Sequence, residues 1–209
     1  MKKFTALIFT LLISTLVSAT PWLFEEGKHY EVVGKVASAK PTVTEYFSFY
    51  CPHCFKFEFV AKEIENALPE GTKFAKSHVD FLRSASGDVQ RSLTRAMIVA
   101  DQMGAKHKIV DAIFNRIHKE RKVFSGEADI RALFAANGLD VKKFDRLNTS
   151  FDVMEAAIKM KEAQDDLSKR QVLTSVPTFI VNNKYKILSA ELRSVADYNS
   201  LVEFLLAKK

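Results

Sequence analysis

Cysteine is scarce in this chain, with two in 209 residues. That excludes a scaffold stapled by several disulfides. The two, Cys51 and Cys54, lie too close together to tie distant parts of a fold, because closing so small a ring removes little entropy from the unfolded chain. Long apolar runs are also missing. The N-terminal run from Phe4 to Val17 has 14 residues, short of the roughly 18 needed to cross a bilayer, and no later stretch is long and apolar enough to do so. The five histidines (His29, His53, His78, His107, His118) show no paired ligand spacing, so the cysteines lack the two further ligands of a zinc site, and no metal is expected. Charge is not strongly one-sided. The net charge is +6, of which Lys2 and Lys3 supply two. The densest basic cluster, Lys119 to Lys122, is interrupted by Glu120, and no basic stripe interleaves with aromatics, so nucleic acid is not an expected partner. No internal repeat or low-complexity tract is visible.

What is present begins with an export signal. Met1-Lys2-Lys3 is a basic start, the apolar run follows, and Val17-Ser18-Ala19 supplies the small residues of a cleavage site before Thr20. The alternative, a membrane anchor, is disfavoured by Pro21, Glu25, Glu26 and Lys28 immediately after. The expected product is a soluble periplasmic chain of about 190 residues, enough for one sizeable core or a core with an inserted subdomain.

Thr42 to Tyr50 is β-branched and aromatic and reads as a buried strand. Pro52 to Leu68 has helical spacing and stops at Pro69-Glu70-Gly71, and Lys73 to Phe81 reads as a second strand. From Asp88 the period becomes helical: Asp88–Met103, Lys106–Lys119, Glu127–Asn137, Asp140–Leu147 and Phe151–Arg170, with Asp140 and Ser150 as candidate N-caps. Thr178–Val181, a turn at Asn182-Asn183 and Tyr185–Leu188 read as a hairpin, and a last helix runs from about Ala196 to Ala207. The expected architecture is α/β, with a helical block inserted into a domain built from both ends of the chain. The expected boundaries are 1–19 for the signal, 20–80 for the first part of the α/β domain, 81–164 for the insertion and 165–209 for the second part.

The cysteine pair falls at a strand-to-helix junction. Thiol–disulfide exchange needs a thiolate. A helix N-terminus presents unpaired N–H groups and a favourable dipole to Cys51. Pro52 suits the first helical turn because it has no N–H to waste, and His53 can add positive charge near pH 7. Cys54, one turn further in, is expected to be more buried. Cys51 is therefore the thiol that exchanges with partners, and Cys54 closes the internal disulfide. Stabilising the Cys51 thiolate favours the reduced form, so the protein donates its disulfide. Two further signals are Val176-Pro177 at the entry to a strand and Glu45 inside an apolar strand. Strand alternation puts Glu45, Phe47 and Phe49 on one face. Glu45 is either an exposed edge acid or a buried carboxyl of raised pKa that manages protons for Cys54, with Lys76 in the neighbouring strand as its possible partner.

Several segments together, Glu45-Tyr46-Phe47-Ser48-Phe49-Tyr50-Cys51-Pro52-His53-Cys54, Pro69-Glu70-Gly71, Lys76-Ser77-His78-Val79, Val176-Pro177 and Val181-Asn182-Asn183-Lys184-Tyr185, resemble the DsbA thiol:disulfide oxidoreductases, a thioredoxin-fold family with a helical insertion. The resemblance spans essentially the whole mature chain. It implies a surface-facing nucleophile at Cys51 and a buried Cys54. It also implies a cis Val176-Pro177 peptide packed against the disulfide, with the Val176 backbone pairing a substrate strand, and Glu45 with Lys76 as a buried charged pair beneath the site. Finally, it implies newly exported proteins with free cysteines as substrates, a DsbB-type quinone-linked membrane reoxidant, a monomeric chain, and no cofactor beyond the redox-active disulfide. Ala61 and Thr178 depart from the family pattern, which often has a larger apolar residue and Ala there. The competing functions are a reductase or isomerase of the same fold, and a peptide-binding chaperone whose cysteine pair is incidental.

Overall fold

The computed structural model describes residues 24–208, so the expected signal and its cleavage site lie outside the described residues. Among those described, one five-stranded sheet has the order β1-β5-β4-β2-β3, with β1 at Tyr30–Val32, β2 at Thr42–Phe47, β3 at Lys73–His78, β4 at Thr178–Val181 and β5 at Tyr185–Ile187. Only β2 and β3 run parallel, joined through α1 (Pro52–Ala67); the other pairings are antiparallel. Five helices stand between β3 and β4: α2 (Gly87–Gln102), α3 (Lys106–Phe114), α4 (Glu127–Ala136), α5 (Val141–Asn148) and α6 (Phe151–Lys169). A final helix, α7 (Val195–Ala207), packs against α1 on one face of the sheet. The molecule is a thioredoxin-like mixed α/β fold carrying a helical insertion. The expected limit at 164/165 falls inside α6, because Phe151–Lys169 is one unbroken helix.

The sheet divides the core. Val43, Phe74, Phe179, Tyr185 and Ile187 pack with Ala61 and Ile64 of α1 and Leu201 and Leu205 of α7. Phe47 and Phe49 extend into a second cluster with the inserted helices, through Leu93, Met97, Ile113, Phe114 and Phe134. Asp140 caps α5 by accepting from the Lys142 and Lys143 N–H groups, and Ser150 caps α6 by accepting from Val153 N–H. Asn182 and Asn183 both take positive φ, 52° and 54°, as a two-residue hairpin turn between β4 and β5 requires.

Three element boundaries differ from the sequence reading by more than one residue. β2 stops at Phe47 because the next residues form a turn: the Ser48 carbonyl accepts from Cys51 N–H at 3.1 Å, and the Ser48 hydroxyl accepts from Tyr50 N–H at 3.2 Å. β3 stops at His78, three residues short of Phe81. The helix expected over Lys106–Lys119 changes winding at Asn115, and Asn115–Lys119 is a π-helical turn closed by Glu120 N–H on the Asn115 carbonyl. β1 was not anticipated; three residues are too few to reveal a period.

Candidate active site

The turn at Ser48–Tyr50 delivers Cys51 to the N-cap of α1, with Pro52 in the first helical position. Both cysteines are free thiols in this structure. The Cys51 sulfur accepts from the Cys54 N–H at 3.2 Å, and as a thiol it faces the Val176 carbonyl at 3.4 Å. Its pKa is lowered to about 6. The largest cause is the hydrogen bond from the Cys54 thiol; the Cys54 and His53 N–H groups and the His53 charge add to it, against the opposing cost of burial. Cys54 moves the other way: its thiol is already committed to Cys51, and burial also raises its pKa strongly. The pair is split into one acidic and one very weakly acidic thiol.

Cys51 is less open than the reading of a surface-facing nucleophile implies. It is 7% exposed, against 0% for Cys54. The N-cap position turns its sulfur back over the helix end and toward Val176, while Pro52 and His53 are the exposed members of the motif. The Val176-Pro177 peptide is cis and opens β4. Thr178 donates its hydroxyl to the Ser175 carbonyl at 2.7 Å, so this departure from the family pattern is satisfied within its own loop. Ala61 is buried in the α1 face. Beside the dithiol, His53, Phe57, Pro177, Phe179, Ser189 and Tyr198 line a cleft of mixed polar and apolar character.

Glu45 lies in β2, an interior strand flanked by β4 and β3, and is fully buried; the alternative of an exposed edge acid is excluded. It sits directly across from Lys76 in the parallel register, and the Lys76 ammonium is 2.5 Å from its carboxylate. A second carboxylate, Glu58 of α1, accepts from the same ammonium at 2.8 Å. Burial raises the pKa of Glu45 despite the attraction of Lys76, and the two carboxylates raise that of Lys76. Two carboxylates share one ammonium, and the Glu45 Oε1 has no hydrogen-bond partner among the described residues.

Glu58 and His118 were missed from sequence. Glu58 stands four residues after Cys54, on the buried stripe of α1 that continues through Ala61 and Ile64, so its spacing carried the signal. His118 had no such signal, because the π-helical turn sets its direction. Its Nε2–H donates to the Phe49 carbonyl at 2.8 Å and its ring stacks on Phe55 at 5.0 Å, tying the inserted helices to both sides of the cysteine motif. No three His, Cys, Asp or Glu side chains gather into a possible metal site among the described residues.

Residues 42–198 match the family model described as DSBA-like thioredoxin domain. The thiol:disulfide interchange protein DsbA of Pectobacterium carotovorum is 36% identical over the full length of both chains, and that of Haemophilus influenzae likewise. Among solved structures, a Proteus mirabilis DsbA variant with the non-covalently bound peptide PWATCDS shares 30% identity and a TM-score of 0.78, over 88% of this chain and 99% of that one. Klebsiella pneumoniae DsbA shares 28% identity and a TM-score of 0.76, over 88% and 98%.

Proposed function

Because the chain belongs to the DSBA-like thioredoxin domain family, we propose that it is a thiol:disulfide oxidoreductase that donates the Cys51–Cys54 disulfide to newly exported proteins in the periplasm. The observation that carries this reading is the opposed acidity of the two thiols: Cys51 lowered to about 6 at a helix N-cap, Cys54 raised strongly behind it.

In the oxidised protein a substrate thiolate attacks the Cys51 sulfur. The new bond is the mixed disulfide, and the bond to Cys54 breaks with its electron pair on Cys54. The departing Cys54 sulfur takes a proton; the buried Glu45 carboxyl, held with Lys76 and Glu58 and electrostatically coupled to Cys54, is the donor this reading assigns. A second substrate thiolate then attacks the substrate sulfur of the mixed disulfide. Cys51 leaves as a thiolate stabilised by the Cys54 thiol and the helix-end N–H groups. Two electrons have passed from the substrate dithiol to the cysteine pair; one substrate proton replaces that of Glu45 and the other goes to solvent. The Val176 carbonyl beside Cys51 and the cleft at His53, Phe57, Pro177 and Phe179 support a substrate strand lying across this face. The cysteine pair is the only redox group the cycle uses. The chain acts as a monomer, after signal removal near Ala19-Thr20, and a DsbB-type membrane partner restores the disulfide.

The test is oxidation of a dithiol peptide by stoichiometric oxidised protein, run beside insulin reduction. Rapid peptide oxidation, abolished in Cys51→Ser, supports disulfide donation. Efficient insulin reduction with no peptide oxidation would instead make the protein a reductase.

A further inference from the structure

His118, in the π-helical turn Asn115–Lys119, touches the chain on both sides of Cys51. Single π-helical turns are uncommon and gather at functional sites. Ahead of Cys51, the His118 Nε2–H donates to the Phe49 carbonyl at 2.8 Å. Behind it, the ring lies nearly parallel to that of Phe55, with centroids 5.0 Å apart and 9° between the planes. The Lys119 ammonium stands 5.9 Å from the centre of the same Phe55 ring. A flat ring with an N–H in its own plane meets both demands; phenylalanine lacks the donor and glutamine lacks the ring.

The carbonyl that His118 holds belongs to the peptide joining Phe49 to Tyr50. The N–H of that peptide goes to the Ser48 hydroxyl at 3.2 Å. Both polar ends of this one plane are therefore fixed, and the next residue is Cys51. Phe49 is 0% exposed, so water cannot replace His118 as the donor to its carbonyl. A buried carbonyl without a donor is costly, and rotation of its peptide is the response open to the chain. Such a rotation changes the direction in which the chain enters Cys51, whose sulfur keeps the hydrogen bond from Cys54 N–H only while it stays near its distance of 3.2 Å. Phe55, in the first turn of α1, sets the helix end against the same histidine.

We propose that His118 is a positioning residue for disulfide exchange, holding the Phe49–Tyr50 peptide and the first turn of α1 so that the Cys51 sulfur stays aligned on the helix-end N–H groups. His118 acts through the turn and not on the sulfur itself. The inference rests on Cys51 being the exchanging thiol of the proposed function. By this route the helical insertion, and not α1 alone, helps to set how readily Cys51 carries negative charge.

The test compares His118→Phe, which keeps a ring on Phe55 and removes the donor, with His118→Gln, which keeps an N–H donor and removes the ring. Thiolate absorbance of the reduced protein against pH gives the Cys51 midpoint, and equilibration with glutathione gives the share of disulfide. His118→Phe should raise the midpoint by about half a pH unit and shift the glutathione equilibrium toward the disulfide by about threefold, since one unit is tenfold. His118→Gln should leave both near the values of the unsubstituted chain. Ser150→Ala, which removes the α6 cap, controls for lost stability alone and should move neither. An unmoved midpoint in folded His118→Phe, or equal movement in the two His118 variants, overturns the proposal. The unsubstituted chain supplies a check that needs no variant to fold: a long-range proton–nitrogen spectrum should show a hydrogen on His118 Nε2, and a ring protonated on Nδ1 alone overturns the proposal. Failure of the unsubstituted chain to oxidise a dithiol peptide sinks the functional reading instead, and leaves these titrations of the reduced protein unaffected.

Discussion

Cys51 owes its acidity chiefly to the thiol one turn behind it and only lastly to the charge of its neighbour His53. The expected order of substitution effects follows. Cys54→Ala raises the Cys51 pKa well above its value of about 6, whereas His53→Ala raises it less, since the helix-end N–H groups remain. Thiolate ultraviolet absorbance against pH measures both, and a larger shift in His53→Ala contradicts the assignment. The buried cluster makes a second prediction. Lys76→Met leaves Glu45 and Glu58 in the core without their shared ammonium, so it should cost about 3–5 kcal/mol near neutral pH, the range for breaking a buried ion pair. Glu45 has a raised folded pKa, so its contribution is present at low pH and lost as pH rises through that value. Lys76→Met should accordingly be less damaging in acid, where Glu45 is protonated, and urea melts at two pH values decide it. At this scale Cys51 and Cys54 were legible from residue type and spacing, whereas strand alternation left Glu45 open between an exposed edge acid and a buried carboxyl, and only the family resemblance made it a buried pair with Lys76. Glu58 was legible by helical spacing and was overlooked.

The elements were read most easily where local chemistry ends them. Asp140, Ser150 and the Asn182-Asn183 turn announce themselves by residue type, and each makes the hydrogen bond or takes the positive φ its role requires. Ser150→Ala removes the acceptor for Val153 N–H and should cost about 1 kcal/mol. A shifted urea midpoint with an unchanged Cys51 titration is the expected pair of results; a changed titration would mean that α6 communicates with the dithiol. What the sequence hid were features fixed by tertiary contact. The Ser48 turn cuts β2 short inside an unbroken aromatic run, β1 exists only as a partner for β5, and the π-helical turn redirects His118 toward Phe49.

At the scale of the whole molecule, a thiolate stabilised only in the folded, reduced state makes reduction favourable to the fold. The Cys51 pKa is lowered, so its contribution is fully present above the ordinary thiol range and fades as pH falls through about 6. Each pH unit between those values is worth about 1.4 kcal/mol, so near neutral pH the thiolate supplies between about 1 and 2 kcal/mol, a few tens of mV for a two-electron couple. Reduced protein should therefore melt at a higher urea concentration than oxidised protein, by a margin that widens from mildly acid to mildly alkaline pH. A margin independent of pH would mean that something other than the Cys51 thiolate holds the reduced state.

Disulfide donation is tested most directly by equilibrating the protein with mixtures of reduced and oxidised glutathione and measuring the fraction of Cys51–Cys54 in the disulfide form. A disulfide donor stays largely reduced in mixtures poised at the glutathione couple's own standard potential, and oxidises only under a large excess of the oxidised peptide. A cysteine pair found mostly oxidised in those mixtures contradicts disulfide donation and makes the protein a reductant of other proteins' disulfides.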